Sequence, residues 1–308
     1  MKNCRYVLAL GAEDVTAGQF RTFTRNLSRV LLPGYQFYTP QSLFLVKMDL
    51  LPYRALVGGS TQGIGRAVAL ALAERGCTVT LLARNEARLR ETVAGLPTTN
   101  SQSHDYLVAD FDDPEHLAAV VHDYLDQHPE GFHILVNNTG GPPGGPMLDA
   151  SVAAFQLAFN QHVVCNHLLT QAVVPAMQQA GFGRIINIIS TSVKIPLPGL
   201  GVSNTIRGAV ASWAKTLANE LGPHGITVNN VLPGATLTQR HHSLVEKKAA
   251  QSGQLAEVVE AEMLKLIPAR RFGLAEEVAA AVAFLASPAA GYINGTSLPV
   301  DGGRTGSL

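Results

Sequence analysis

Downstream of residue 48 the chain alternates between two hydrophobic patterns. Short apolar or β-branched runs fall at 55–58, 78–83, 104–109, 134–136, 184–189, 227–231 and 297–300. Runs of that length, bounded by turn signals, predict strands buried on both faces. Between them apolar residues recur at helical spacing, as Ile64, Val68 and Leu72 do within 64–75, and helices are expected again near residue 90 and at 116–125, 152–179, 203–221 and 275–285. Strand and helix in alternation predict an α/β fold with three layers, α/β/α, built on a single doubly wound parallel sheet with right-handed crossovers.

The first strand leads into Gly59-Ser60-Thr61-Gln62-Gly63-Ile64-Gly65, which opens the first helix. A Gly-x-x-x-Gly-x-Gly loop in that context makes the fold Rossmann-type and predicts a nicotinamide dinucleotide site. Small residues let phosphate oxygens approach the helix N-terminus, where free N–H groups and the helix dipole favour an anion. A glycine-rich turn with no ligand would read the same, so a second feature matters. NAD-selective sites place a carboxylate at the end of the second strand, but this strand ends Leu82-Ala83-Arg84-Asn85. An acid there would repel the additional phosphate of NADP, whereas Arg84 can grip it, so NADP(H) is favoured over NAD(H). The competing reading of Arg84 is a solvated residue at a helix start.

Residues 1–47 differ from the rest of the chain. Their apolar runs, 6–10 and 43–46, are too short to span a bilayer, and they carry basic residues such as Arg21, Arg25 and Arg29 against Glu13 and Asp14. This is expected to be an N-terminal extension of poorly determined structure; a transit segment or an upstream start site are the alternatives, and the oxidoreductase domain is taken as 48–308. The whole chain is 46% hydrophobic and 15% charged with zero formal net charge, which offers no footprint for nucleic acid or an anionic membrane. Cys4, Cys77 and Cys165 lie far apart, so no disulfide framework and no zinc site are predicted, and a cytoplasmic location fits.

Several further segments, taken in order, carry a resemblance. The glycine loop, Asp110, Asn137-Asn138-Thr139-Gly140, Pro233-Gly234 with Thr238, Arg270-Arg271-Phe272-Gly273 before Glu276-Glu277-Val278, and Val300-Asp301-Gly302-Gly303 resemble the short-chain dehydrogenase/reductase family. The likeness runs from residue 48 to the C-terminus and is greatest to the β-ketoacyl (3-oxoacyl-ACP) reductase-like group. It implies that Gly59, Ser60, Gly63, Ile64 and Gly65 hold the pyrophosphate, that Asp110 bonds the adenine, and that Asn138 lines the cofactor through its backbone. It places Pro233, Gly234, Thr236 and Thr238 beside the nicotinamide amide and phosphates. From the residues alone, Asp110 could equally cap the following helix.

The catalytic positions depart from the family. Its carbonyl reductases use a serine, a Tyr-x-x-x-Lys pair thirteen residues later, and an asparagine on the preceding helix. Aligned on the fifth strand, the serine is Ser190, but Ser203 and Arg207 stand where tyrosine and lysine are expected, and His162 where asparagine is expected. Arg207 could hold the nicotinamide ribose but not shuttle a proton, and Ser203 is a far weaker acid than tyrosine. His162, with an ordinary pKa of about 6.5, is a substitute for the proton path, and Lys194 is another near the substrate mouth. A hydrogen-bonded core histidine and a solvated lysine are the respective alternatives.

The loop 140–146 is expected to border the substrate, and the charged segment 240–265 to form a lid or a surface helix pair. His241 and His242 are adjacent and do not share a helix face, so no metal site is predicted. The expected function is an NADP(H)-dependent oxidoreductase interconverting a ketone and a secondary alcohol, 3-oxoacyl-reductase-like. The alternative is a catalytically weak NADP(H)-binding relative acting as a sensor or partner subunit. The resemblance implies a homodimer or homotetramer paired through 152–179 and 203–221, with a small carbonyl or alcohol as the other partner and no nucleic acid or membrane.

Overall fold

The computed structural model describes residues 49–306. The basic stretch 1–47 lies outside the described residues. Seven strands, β1 Arg54–Gly58, β2 Thr78–Ala83, β3 Asp105–Val108, β4 Ile134–Asn137, β5 Gly183–Ile188, β6 Ile226–Pro233 and β7 Ser297–Val300, form a sheet in the order β3-β2-β1-β4-β5-β6-β7. Every pairing is parallel. The order reverses between β1 and β4, and in such sheets ligands bind beyond the carboxyl ends of the strands at that switch.

The helices are α1 Gly63–Glu74, α2 Glu86–Ala94, α3 Pro114–Gln127, α4 Val152–Phe159, α5 Cys165–Ala180, α6 Gly201–Leu221, α7 Gln239–Ser252, α8 Ala256–Lys265 and α9 Ala275–Ala286. Alternate residues of each strand feed opposite faces. Val57, Val136 and Ile186 pack with Val68 and Leu72 of α1 and Val278 and Val282 of α9. Leu56, Leu135 and Ile185 pack with Leu117, Leu169 and Ala214 of α3, α5 and α6 on the other side. Both faces are dry, which is why the strands read as continuous apolar runs.

Two details depart from the expected elements, and a third segment follows one of its two readings. The segment 152–179 is interrupted by a π-helical turn, Asn160–Val164, between α4 and α5. β3 begins at Asp105 because the ring of His104 accepts the Val79 N–H at 3.1 Å, so this side chain takes the place of a ladder bond. The charged segment 240–265 is a helix pair broken at Gly253, whose φ of 66° ends α7 in the left-handed region. Cys77 and Cys165 are free and buried, and burial pushes both thiols up, that of Cys165 to about 12. Among the described residues no helix is long and apolar enough to cross a membrane.

Candidate functional site

The glycine loop turns off β1 with Gly59 at φ 57° and Gly63 at φ 52°, conformations that side chains rarely adopt. A Cβ on Gly65 would strike the carbonyl oxygen of Gly59 and lie 2.7 Å from Asn138 Nδ2. The loop is held from two sides. Asn138, just beyond β4, donates to the carbonyls of Gly58 and Gly59 at 3.1 and 3.4 Å. The buried hydroxyl of Ser60 accepts the Leu82 N–H at 3.1 Å. The side chain of Ser60 fixes the loop to β2, so it is the backbone of Ser60 that faces a ligand in the loop's expected role. No side chain caps the first turn of α1, and no acid lies in it, so its N–H groups suit a pyrophosphate. Ile64, half-buried, turns into the core beside them.

At the end of β2 the side chain of Arg84 is 74% exposed, with Nη1 3.6 Å from Asp110 Oδ2. Asp110 accepts the Asp112 N–H, while Asp113 caps α3 by accepting the His116 N–H at 3.0 Å, so the capping alternative for Asp110 falls away. Arg88, on the first turn of α2, donates to Gln62 Oε1 of the glycine loop at 3.2 Å. Thr61, Gln62, Arg66 and Arg88 line a cleft of about 290 Å³. Two exposed arginines thus flank the place where the sequence predicts an extra phosphate.

Beyond β6, the N–H of Gly234 donates to the Val300 carbonyl, and a Cβ on Gly234 would meet Asp301 at 2.7 Å. Thr236 donates to the Gly234 carbonyl, and Thr238 caps α7 by accepting the His241 N–H. The Thr238 methyl is 3.3 Å from the Cβ position of Gly63, so the segment after Pro233 closes on the glycine loop.

Ser190 and Arg207 lie at the end of β5, with Ser203 on the same helix as Arg207 and His162 within reach of the Arg207 charge. Arg207, 8% exposed, donates from Nη1 to the Ile188 carbonyl at 2.8 Å. Ser203 is buried one turn earlier on the same face of α6. Ser190, just past β5, accepts the Ser192 N–H at 3.1 Å, which leaves its own proton free to donate outward. His162 sits in the π turn, 2% exposed. Burial, then the charges of Arg207 and Arg240, lower its pKa to about 2, against a small opposing contribution from a backbone bond to Gly140. The imidazole is therefore neutral at physiological pH, which corrects the expectation of a group titrating near neutrality. Burial and Arg240 lower the pKa of Arg207 to about 10, so it stays charged. Lys194 is exposed at the end of the turn after β5.

The sequence profile of the family described as Enoyl-(Acyl carrier protein) reductase matches residues 59–305. The chain belongs to the short-chain dehydrogenase/reductase family. It is 29% identical over 254 residues to the NADPH-dependent reductase BacG of Bacillus subtilis, covering 82% of this chain and 98% of that one. Dehydrogenase/reductase SDR family member 4 of Sus scrofa is 34% identical over 260 residues, covering 82% and 88%. The crystal structure of L-sorbose reductase from Gluconobacter frateurii, complexed with NADPH and L-sorbose, superposes with a TM-score of 0.79 at 29% identity over 85% of this chain and 99% of that one.

Two residues of this dehydrogenase/reductase site escaped sequence reasoning. Arg88 carried a signal, since it lies four residues beyond Arg84, on the helix that follows β2. Arg240 carried none, because its position depends on α7 folding back over the loop after β4. There it donates to the carbonyls of Gly141 and Pro142 at 2.9 and 3.2 Å, and Lys247 donates to that of Gly144 at 3.1 Å. The loop 140–146 and α7 are thereby latched together. His241 packs on Phe272, with ring centroids 4.4 Å apart, and no cluster of potential metal ligands occurs among the described residues.

Proposed function

We propose that this chain is an NADP(H)-dependent oxidoreductase that interconverts a ketone and a secondary alcohol at the end of β5, with a proton path rebuilt around Ser203, Arg207 and His162. The observation that carries the reading is the buried guanidinium of Arg207, fixed on the Ile188 carbonyl beside Ser203, with His162 close enough to feel its charge. The glycine loop, uncapped α1 and exposed Arg84 fit a dinucleotide bearing an extra phosphate, and relatives that use NADPH agree with that fit. When bound, the nicotinamide gives or takes the hydride.

The protein's own residues handle the oxygen. The free proton of Ser190 can hydrogen-bond the substrate carbonyl and orient it. The hydroxyl of Ser203 donates the proton that the carbonyl oxygen gains on reduction, and the neutral imidazole of His162 relays a replacement from water, giving up its ring N–H proton to the serine oxygen as its other nitrogen accepts one. Arg207 cannot give up its proton, so its contribution is electrostatic: a desolvated positive charge that favours negative charge growing on the oxygen. Loss of the tyrosine acid is worth about 10²–10⁴-fold, whereas alignment of hydride donor and acceptor supplies roughly 7–11 kcal/mol, so transfer is slowed and retained. A 3-oxoacyl group is the ketone the family resemblance favours.

The test is NADPH oxidation with ketones and 3-oxoacyl thioesters. Ser203→Ala and His162→Ala should each lower kcat/KM at least tenfold, and unchanged rates would remove them from the proton path. Tight NADPH binding with no carbonyl reduced would favour the alternative of a sensor or partner subunit, a reading Ser203 supports because serine is so weak an acid. Pairing of two copies through α4, α5 and α6, and a cytoplasmic location, are carried as parts of the same proposal.

A further inference from the structure

Arg207 and Arg240 come from different elements, yet their guanidinium groups converge on Gly141. A Cβ built on Gly141 would stand 2.8 Å from Arg240 Nη2 and 3.5 Å from Arg207 Nη2. Among the described residues neither arginine is paired with a carboxylate; the ion pairs lie elsewhere, on Arg54, Arg84, Arg90, Arg271, His128 and His241. Arg207 spends one donor on the Ile188 carbonyl, while its Nε is buried without a partner. Arg240 spends two of its five donors on the loop carbonyls. The third basic group beside them, His162, is neutral. Arg207 is buried and Arg240 is exposed, so two like charges repel across this place and the buried one has no counterion, which is costly. Such an arrangement is stable in use when an anion completes it, and paired guanidinium groups suit the planar, bidentate geometry of a carboxylate.

We infer that Arg207 and Arg240 form an anion subsite for the substrate, so that this enzyme takes oxo acids carrying a free carboxylate in preference to neutral ketones, esters or thioesters. The inference rests on the oxidoreductase reading for where the substrate lies; it deepens that reading by naming the substrate class, and it replaces the 3-oxoacyl thioester that the family resemblance favours. A nicotinamide ribose, which the resemblance sets against Arg207, carries no charge, so the anion that balances the two guanidinium groups comes from the substrate. Arg207 stands at the end of β5 beside Ser190 and Ser203, while the phosphate-binding features lie at α1 and at Arg84.

Equilibrium binding to the protein loaded with oxidised NADP, which has no hydride to give an oxo acid, tests this without turnover. Calorimetric titrations compare 2-oxobutanoate, 2-oxohexanoate and 3-oxobutanoate with their methyl esters. At least one acid should bind tenfold or more tighter than its ester, Arg240→Gln should abolish that preference with NADPH affinity held within twofold, and Arg240→Lys should restore part of it. Equal affinities of acid and ester, or no binding of either, would overturn the inference. A tenfold loss of NADPH affinity in Arg240→Gln would assign the pair to a cofactor phosphate and overturn it equally. Acids that bind with the expected preference but are never reduced would leave the subsite standing and defeat the oxidoreductase reading. Reduction of neutral ketones without any acid preference would do the reverse.

Discussion

Arg84 projects its guanidinium into solvent at the end of β2, tied to Asp110 by a contact of 3.6 Å that is too exposed to contribute much to stability. In the proposed function its value is its charge, at the place an extra phosphate would occupy. In fluorescence titrations Arg84→Ala should therefore weaken NADPH at least tenfold and leave NADH within twofold, with little change in melting temperature. Equal losses for both cofactors would assign Arg84 to the scaffold. His162 offers a test by pH. Its pKa is about 2 when folded and about 6.5 when unfolded, so only the unfolded chain gains a proton between those values. Stability attributable to His162 is thus intact above about pH 6.5 and falls below it, by about 2 kcal/mol at pH 5. His162→Asn removes this component. Urea unfolding at pH 7 and pH 5 should show the native protein losing about 2 kcal/mol more than the variant, while His133 and His241, also lowered by burial, cancel in the comparison. Identical losses would mean that the folded protein protonates His162 freely.

Strand ends and helix defects carry the site at the next scale. Asn137 donates to Asn187 at 2.8 Å, Asn187 to Asn230 at 2.9 Å, and Asn230 to the Ser297 hydroxyl at 3.1 Å. This buried chain of amides crosses β4, β5, β6 and β7 beneath the residues that face the crevice. Asn187→Ala strands a donor on Asn137 and an acceptor on Asn230, each costing about 1–3 kcal/mol when buried. The melting temperature should fall by at least about 5 °C, at roughly 2–4 °C per kcal/mol. A fall under one degree in calorimetry would mean that water replaces the lost bonds. The π turn Asn160–Val164 is the other element-scale device. An extra residue in the turn re-aims the helix, and such turns concentrate at functional sites. A uniform helical repeat over 152–179 hid it, because apolar periodicity reports which face is buried and is blind to one wide turn.

Across the whole molecule, the order of layers and the dinucleotide crevice were legible from residues 55–65 and 78–85. Buried parallel strands and a glycine loop leave strong local signals. The apolar strand 78–83 and the final strand 297–300 match the observed bounds. What could not be read were contacts made over long sequence separations. Arg240 reaches Gly141 only through tertiary folding, and the neutrality of His162 is set by burial and by two arginines far from it in sequence. The altered catalytic positions Ser203, Arg207 and His162 were visible by spacing, but their electrostatics were not. Everything proposed for the crevice turns on hydride transfer persisting with those residues in place of the usual ones. Incubating the protein with NADPH deuterated at C4 on the transferring face, together with a panel of ketones and oxo acids, tests it by mass spectrometry of the products. The expected product is a secondary alcohol carrying one deuterium at the carbinol carbon. Tight NADPH binding with no deuterated alcohol from any member of the panel would contradict it.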